Sequence, residues 1–140
     1  MNMRLGHLAV TTRDMEKSLD FYTGVLGFER LFDMLHPETG KPWIVYVSMG
    51  NGQFIELFYG GETDNPWNSG LRGFNHICVI VDDIHAAAKK IADASYPIDR
   101  APRQGVDGNW QFWITDPDGI RIEFMQIDKN SPQGRIIANL

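Results

Sequence analysis

A chain of 140 residues, 43% apolar and 22% charged, carries enough apolar material for one compact domain or two small modules sharing a core, and its composition excludes disorder. Its formal charge is −5 and no run of Lys or Arg offers a compensating patch, so a nucleic-acid partner is excluded by net repulsion. No stretch reaches the roughly 18 apolar residues of a membrane span. The N-terminus shows neither the basic start nor the long apolar core of a secretory signal. The single cysteine, Cys78, leaves no intrachain disulfide, so a reducing cytoplasm is expected.

In chain order, His7-Leu8-Ala9-Val10 opens a short β-prone run. Asp14 then stands as a helix N-cap before Met15, Leu19, Tyr22 and Leu26, which recur at helical spacing until Gly27 stops the helix. Three strands follow, at about 28–34, 43–49 and 53–59, with turn residues at 36–40 and 50–52. A segment at 60–74, rich in Gly, Asn and Asp, reads as a linker. His76-Ile77-Cys78-Val79 then opens a second β-prone run, and Asp83 precedes a helix bearing Ile84, Ala87, Ala88 and Ile91. A short strand is expected near 96–98, then a Pro- and Gly-containing loop, a strand at 110–115, the turn Asp116-Pro117-Asp118-Gly119 and a strand at 120–127. Residues 128–140 show no periodicity and are expected to be an arm, either packed on a partner subunit or mobile.

The second half thus repeats the first. Gly6-His7 aligns with Asn75-His76, and Gly52-Gln53-Phe54-Ile55-Glu56 aligns with Gly119-Ile120-Arg121-Ile122-Glu123. Each half is a β-α-β-β-β unit, the first module at 1–59 and the second at 75–127. The fold class expected is α+β, two tandem βαβββ modules forming a curved, partly closed mixed sheet.

Strand alternation puts Arg121, Glu123 and Met125 on one face and the apolar Ile120, Ile122 and Phe124 on the other. Phe54, Glu56 and Phe58 likewise share a face, with Ile55 and Leu57 behind. A carboxylate between two phenylalanines needs a partner, because an unpaired buried charge costs several kcal/mol. Each glutamate is linked by the repeat to one strand-leading histidine. His7, Glu56, His76 and Glu123 are therefore expected to pool around one divalent cation, with room for water and substrate. Imidazole with carboxylate suits Zn, Ni, Co or Mn better than Ca or Mg. Taken singly, each residue has a plainer reading: a hydrogen-bonded strand histidine, or a glutamate paired with Arg121. The joint recurrence in both copies favours the metal. Cys78 shares the His76 face but reads as a small core residue, His36 and His85 as solvated, and Trp67 as a lid candidate.

These residues resemble the vicinal oxygen chelate superfamily, the glyoxalase, bleomycin-resistance and extradiol-dioxygenase group, from about Arg4 to Ile127. The resemblance rests on His7 followed by Ser18-Leu19-Asp20-Phe21-Tyr22 and Leu26-Gly27-Phe28, and on Asp116-Pro117-Asp118-Gly119 leading to Glu123. It implies paired modules around a divalent ion and a homodimer whose site draws ligands from one chain or two. The His, Glu, His, Glu set is similar to that of bacterial glyoxalase I. It implies a lyase or isomerase in which Glu123, with Glu56, moves a proton between adjacent carbons of a small oxygenated substrate while the metal stabilises an enediolate. Thr11 stands where such enzymes carry an arginine for a glutathione carboxylate, and Gly60 where they carry an asparagine, so the resemblance does not extend to glutathione. Epimerases and other enolate-forming isomerases share the architecture, as do non-catalytic resistance-type proteins that bind a drug or metabolite.

Overall fold

Alternating apolar residues in the strands and a three-to-four-residue apolar spacing in the helices build each half of the chain. The structure, a computed structural model, describes residues 5–70 and 72–140. The first four positions of the expected first module and position 71 of the expected linker lie outside the described residues. The chain forms two compact units, one up to Asn65 and one from Pro66 onward.

The first unit contains β1 (His7–Thr11), α1 (Met15–Leu19), which continues as a π-helical turn (Asp20–Val25), then β2 (Glu29–Leu35), β3 (Pro42–Gly50) and β4 (Gln53–Phe58). Asp14 caps α1 by accepting from the Lys17 amide. The widened turn buries Phe21 and Tyr22 side by side, and Gly27, at φ 77°, ends the helix in the left-handed region open to glycine. Its sheet has the order β1-β4-β3-β2, with β1 and β4 parallel and the other pairs antiparallel. Asn51 and Gly52, at φ 54° and 72°, make the tight turn between β3 and β4. Positive φ at both central residues matches the right-handed twist of the strands and pins their register. One face of the sheet, with Val45, Val47, Ile55 and Leu57, is buried.

The second unit repeats this plan with β5 (Ile77–Ile80), α2 (Ile84–Asp93), β6 (Arg100–Gln104), β7 (Trp110–Thr115) and β8 (Arg121–Gln126), in the order β5-β8-β7-β6. β5 runs parallel to β8 and the remaining pairs are antiparallel. Asp83 caps α2 by accepting from the His85 and Ala86 amides. Ile84, Ala88 and Ile91 are buried, as are Phe112, Ile114, Ile122 and Phe124 of the sheet. The rings of Phe112 and Phe124 stack at 4.5 Å. The architecture is the expected α+β arrangement, realised as two four-stranded mixed sheets, one per module, neither closed into a barrel.

Two segments differ from expectation. The strand expected near 96–98 is displaced to Arg100–Gln104. Pro97 has no N–H for a ladder, Ser95 turns at φ 57°, and the Tyr96 hydroxyl donates to the Thr115 carbonyl at 2.8 Å. β6 accommodates Pro102 because it is an edge strand whose register shifts between Arg100 and Arg103. The aperiodic tail is ordered within the second unit: residues Pro132–Ile137 form a short helix, α3. Ser131 caps it and Pro132 occupies its first turn, a capping signal independent of periodicity. The buried Asn109 side chain ties it down, accepting from the Asp128 amide at 2.9 Å and donating to Gln133 at 3.2 Å.

Gly134 is packed so tightly that an added Cβ would lie 2.1 Å from the Asp128 carbonyl oxygen. Gly134→Ala is therefore expected to displace α3 and destabilise the second unit by about 1–3 kcal/mol. Urea unfolding checks this, and an unchanged midpoint would contradict the packing described.

Candidate functional site

The parallel pairing of first and last strands decides which side chains meet. Ala9 lies opposite Glu56 across β1 and β4, and Cys78 lies opposite Glu123 across β5 and β8. On the other flank, Tyr46 of β3 faces Glu56 and Trp113 of β7 faces Glu123. The two glutamates thus occupy equivalent points of the two units. They are 8% and 5% exposed, on the sheet face opposite the helices.

In the first unit His7 Nδ1 lies 3.5 Å from Glu56 Oε1, and the imidazole is 53% exposed. The Tyr46 hydroxyl hydrogen-bonds to Glu56, and this bond, with partial burial and the carboxylate's charge, raises the phenol above its ordinary range. Phe32 stacks on the Tyr46 ring at 4.4 Å. In the second unit His76 Nε2 lies 3.1 Å from Glu123 Oε2. The imidazole packs edge-on against Trp113 at 4.8 Å. Its Nδ1 meets Asn75 Oδ1 at 2.6 Å, and Arg121 Nη1 approaches the same oxygen at 3.5 Å.

That arrangement constrains the protons on His76. An amide oxygen that faces a guanidinium accepts hydrogen bonds, so Nδ1 carries the hydrogen. Nε2 then turns toward an anionic oxygen, a placement satisfied by a second proton or by a cation shared between the two atoms. Two donors on ~2 Å bonds at a right angle around one ion are separated by roughly 3 Å. The His76–Glu123 pair has that spacing. A spacing of 3.1 Å is that of a hydrogen bond and also of two donors sharing one ion, so the pair is compatible with either, and Asn75 holds the imidazole's orientation.

Of the four expected ligands, the structure brings together His7 with Glu56 and His76 with Glu123. Among the described residues no group of three or more His, Cys, Asp or Glu side chains is gathered as a metal site requires; each unit holds one histidine–glutamate pair. Three residues of this surroundings were not singled out as site residues from the sequence. Tyr46 and Trp113 are strand neighbours of the glutamates, which a β3–β4 or β7–β8 hairpin register reveals. Asn75 aligns with Gly6 in the repeat and carries no motif signal. Cys78 is exposed and not in the core as expected from its size. The reason is register: pairing with Glu123 sets it on the glutamate's face, away from α2.

The chain matches the family model of the Glyoxalase/Bleomycin resistance protein/Dioxygenase superfamily over residues 4–124. It belongs to that superfamily. A probable lactoylglutathione lyase of Synechocystis is 33% identical over 89% of this chain and 95% of its own length. The mitochondrial methylmalonyl-CoA epimerase of Bos taurus is 30% identical over 88% of this chain and 74% of its own length. The crystal structure of a glyoxalase family protein from Enterococcus faecalis superposes with a TM-score of 0.76, covering 87% of this chain and 96% of that one at 22% identity. Membership and fold rest on these matches, and the similar curated proteins are named as lyases or an epimerase. Among the described residues no helix is long and apolar enough to cross a membrane.

Cys78 is exposed as a residue, but its thiol lies on the Glu123 face, and desolvation there, followed by the charge of Glu123, pushes it up to about 12. Since the thiolate is the reactive form, iodoacetamide should alkylate Cys78 slowly at pH 8 and faster as the pH rises toward 12. A half-maximal rate near pH 8.5, the ordinary thiol value, would contradict this environment.

Proposed function

We propose that this chain is a metal-dependent lyase or isomerase of the glyoxalase I type. It moves a proton between adjacent carbons of a small oxygenated substrate. His7, Glu56, His76 and Glu123 hold a divalent ion, one of Zn, Ni, Co or Mn, two ligands coming from each unit of one chain or of two. The observation that carries this reading is the recurrence of a buried glutamate paired with an imidazole at the same register point of both units. The lyases among the relatives support the reaction type.

When bound, the ion supplies positive charge that stabilises the oxyanion developing on the substrate. The chain's own residues do the rest. Glu123 is the principal base: one carboxylate oxygen pairs with the His76 imidazole, and its β5 neighbour Cys78 is only a weak donor, which leaves the carboxylate able to accept a carbon-bound proton. Glu56 is held more firmly by the Tyr46 hydroxyl and is the partner that receives or returns the proton. Trp113 and Asn75 keep the His76 ring in place. Glutathione is not part of the proposal, because Thr11 and Gly60 stand where its contacts would be. A cytoplasmic homodimer fits this reading. β2 presents Leu31, Phe32, Met34 and Leu35 to solvent, an apolar strand that a second copy can cover.

Elemental analysis of the purified protein is expected to find one of these metals, with stripped protein rebinding it at micromolar concentration. Glu56→Gln and Glu123→Gln should each lower turnover by about 100-fold or more, assayed on methylglyoxal with and without glutathione. Absence of divalent-ion binding at that concentration ends the reading. The epimerase relative favours a second reading, in which the same residues exchange the proton α to a thioester. Deuterium uptake by acyl-CoA substrates, with none by α-hydroxycarbonyl compounds, would select it.

A further inference from the structure

Among the places where the copies differ around the histidine–glutamate pairs, one introduces a charge. The position two before the glutamate is Phe54 in the first unit and Arg121 in the second. β5 and β8 pair Ile77 with Ile122; carried one residue back, that register sets His76 beside Arg121. Strand alternation aims Arg121 from the same face as Glu123, with Cα atoms about 7 Å apart along β8.

Arg121 is half-buried and lies against two aromatic rings. Its guanidinium carbon lies 3.9 Å from the centroid of Trp67 and 4.5 Å from that of Trp113. Among the described residues no carboxylate forms an ion pair with it. Asn75 Oδ1, at 3.5 Å from Nη1, is its one hydrogen-bond partner there. Indole rings cover the faces of a guanidinium, whereas its N–H groups radiate in its plane. A cation held against two indoles, with no ion pair and one long hydrogen bond among the described residues, has N–H groups left to receive an oxyanion in bidentate fashion. Packing against the two rings also lowers the side-chain entropy that such binding otherwise costs.

We propose that Arg121, held by Trp67 and Trp113, anchors an oxyanion of the substrate, a carboxylate or a phosphate, within reach of Glu123. The proposal rests on the reading of His76 and Glu123 as site residues and adds the substrate class: an anionic compound, held by its charged end while Glu123 acts on a neighbouring carbon. Trp67, expected from the sequence as a lid, is here a positioning residue for the guanidinium.

The test uses matched probes on the full chain stripped of metal with a chelator, followed by tryptophan fluorescence: lactate against lactamide, and glycerol 3-phosphate against glycerol. The wild-type protein should prefer at least one anion over its neutral counterpart by about tenfold, the scale of a charge-assisted hydrogen bond. The preferred anion identifies the source of the oxyanion. Arg121→Gln should bring the ratio to about one, and Arg121→Lys, which keeps the charge without the fork, should leave an intermediate value. A purely packing role for Arg121 predicts no preference in the wild type. Equal binding of anion and neutral probe, no binding of either, or an undiminished preference in Arg121→Gln overturns the proposal. Manganese binding, measured separately by electron paramagnetic resonance, should be the same in wild type and Arg121→Lys. Loss of manganese binding with the anion preference intact would remove the metal reading and leave the anchor standing.

Discussion

In each unit the first strand runs parallel beside the last, and every feature of the candidate site follows from that pairing. Parallel neighbours need a crossover. Here the helix and two further strands provide it, and they return the chain so that β4 lies against β1 and β8 against β5. The histidine arrives at the head of one strand and the glutamate in the middle of the other, brought together from 49 and 47 positions apart. The tight turns at Asn51-Gly52 and Asp116–Gly119 lock the register that holds them there. In the second turn Asp116 Oδ1 accepts from the amides of Asp118 and Ile120 at 2.9 and 2.7 Å. A slip of one residue would turn both glutamates into the helix-packed core, where nothing could partner them.

The cost of seating a carboxylate on a nearly enclosed sheet face shapes the rest of the environment. Glu56 has the His7 imidazole on its β1 side and Tyr46 on its β3 side, whereas Glu123 has both the His76 imidazole and the Cys78 thiol on its β5 side and Trp113 on its β7 side. No buried side-chain nitrogen or oxygen among the described residues lacks a hydrogen-bond partner. The copies are alike in this plan and unlike in its details. The first unit surrounds its glutamate with Tyr46, Phe54 and Phe58. The second surrounds its own with Trp113, Arg121 and Cys78. Duplication supplies a histidine–glutamate pair in each unit, and divergence of the neighbours gives the two acids different hydrogen-bond donors.

The fold was legible because its signals are local and repeated. Asp14 and Asp83 cap the helices, Gly27 ends the first, and Ile55 with Leu57, and Ile122 with Phe124, mark the buried strand faces. Where a local signal is absent or misleading, the structure departs from the pattern. Tyr96 and Ile98 look like strand residues, but Pro97 and the left-handed Ser95 prevent pairing, and β6 forms further on despite Pro102. The tail has too few residues for periodicity to show, and its helix depends on the side chain of Asn109, which stands 24 positions before Gln133. Size alone points Cys78 to the core, but burial depends on which face a residue shares, and it is exposed.

The sequence by itself determined that two β-α-β-β-β units are present, that each carries a histidine and a glutamate at matching points, and that neither glutamate could be left alone. Those conclusions follow from periodicity, turn chemistry and repetition, all of which are properties of short segments. Only the tertiary structure decided that His76 faces Asn75 with one nitrogen and Glu123 with the other, that Tyr46 supports Glu56, and that Trp67 and Trp113 lie against Arg121. These contacts join residues distant along the chain, and strand register with side-chain rotamers, neither of which is encoded in any local pattern, brings them within bonding distance.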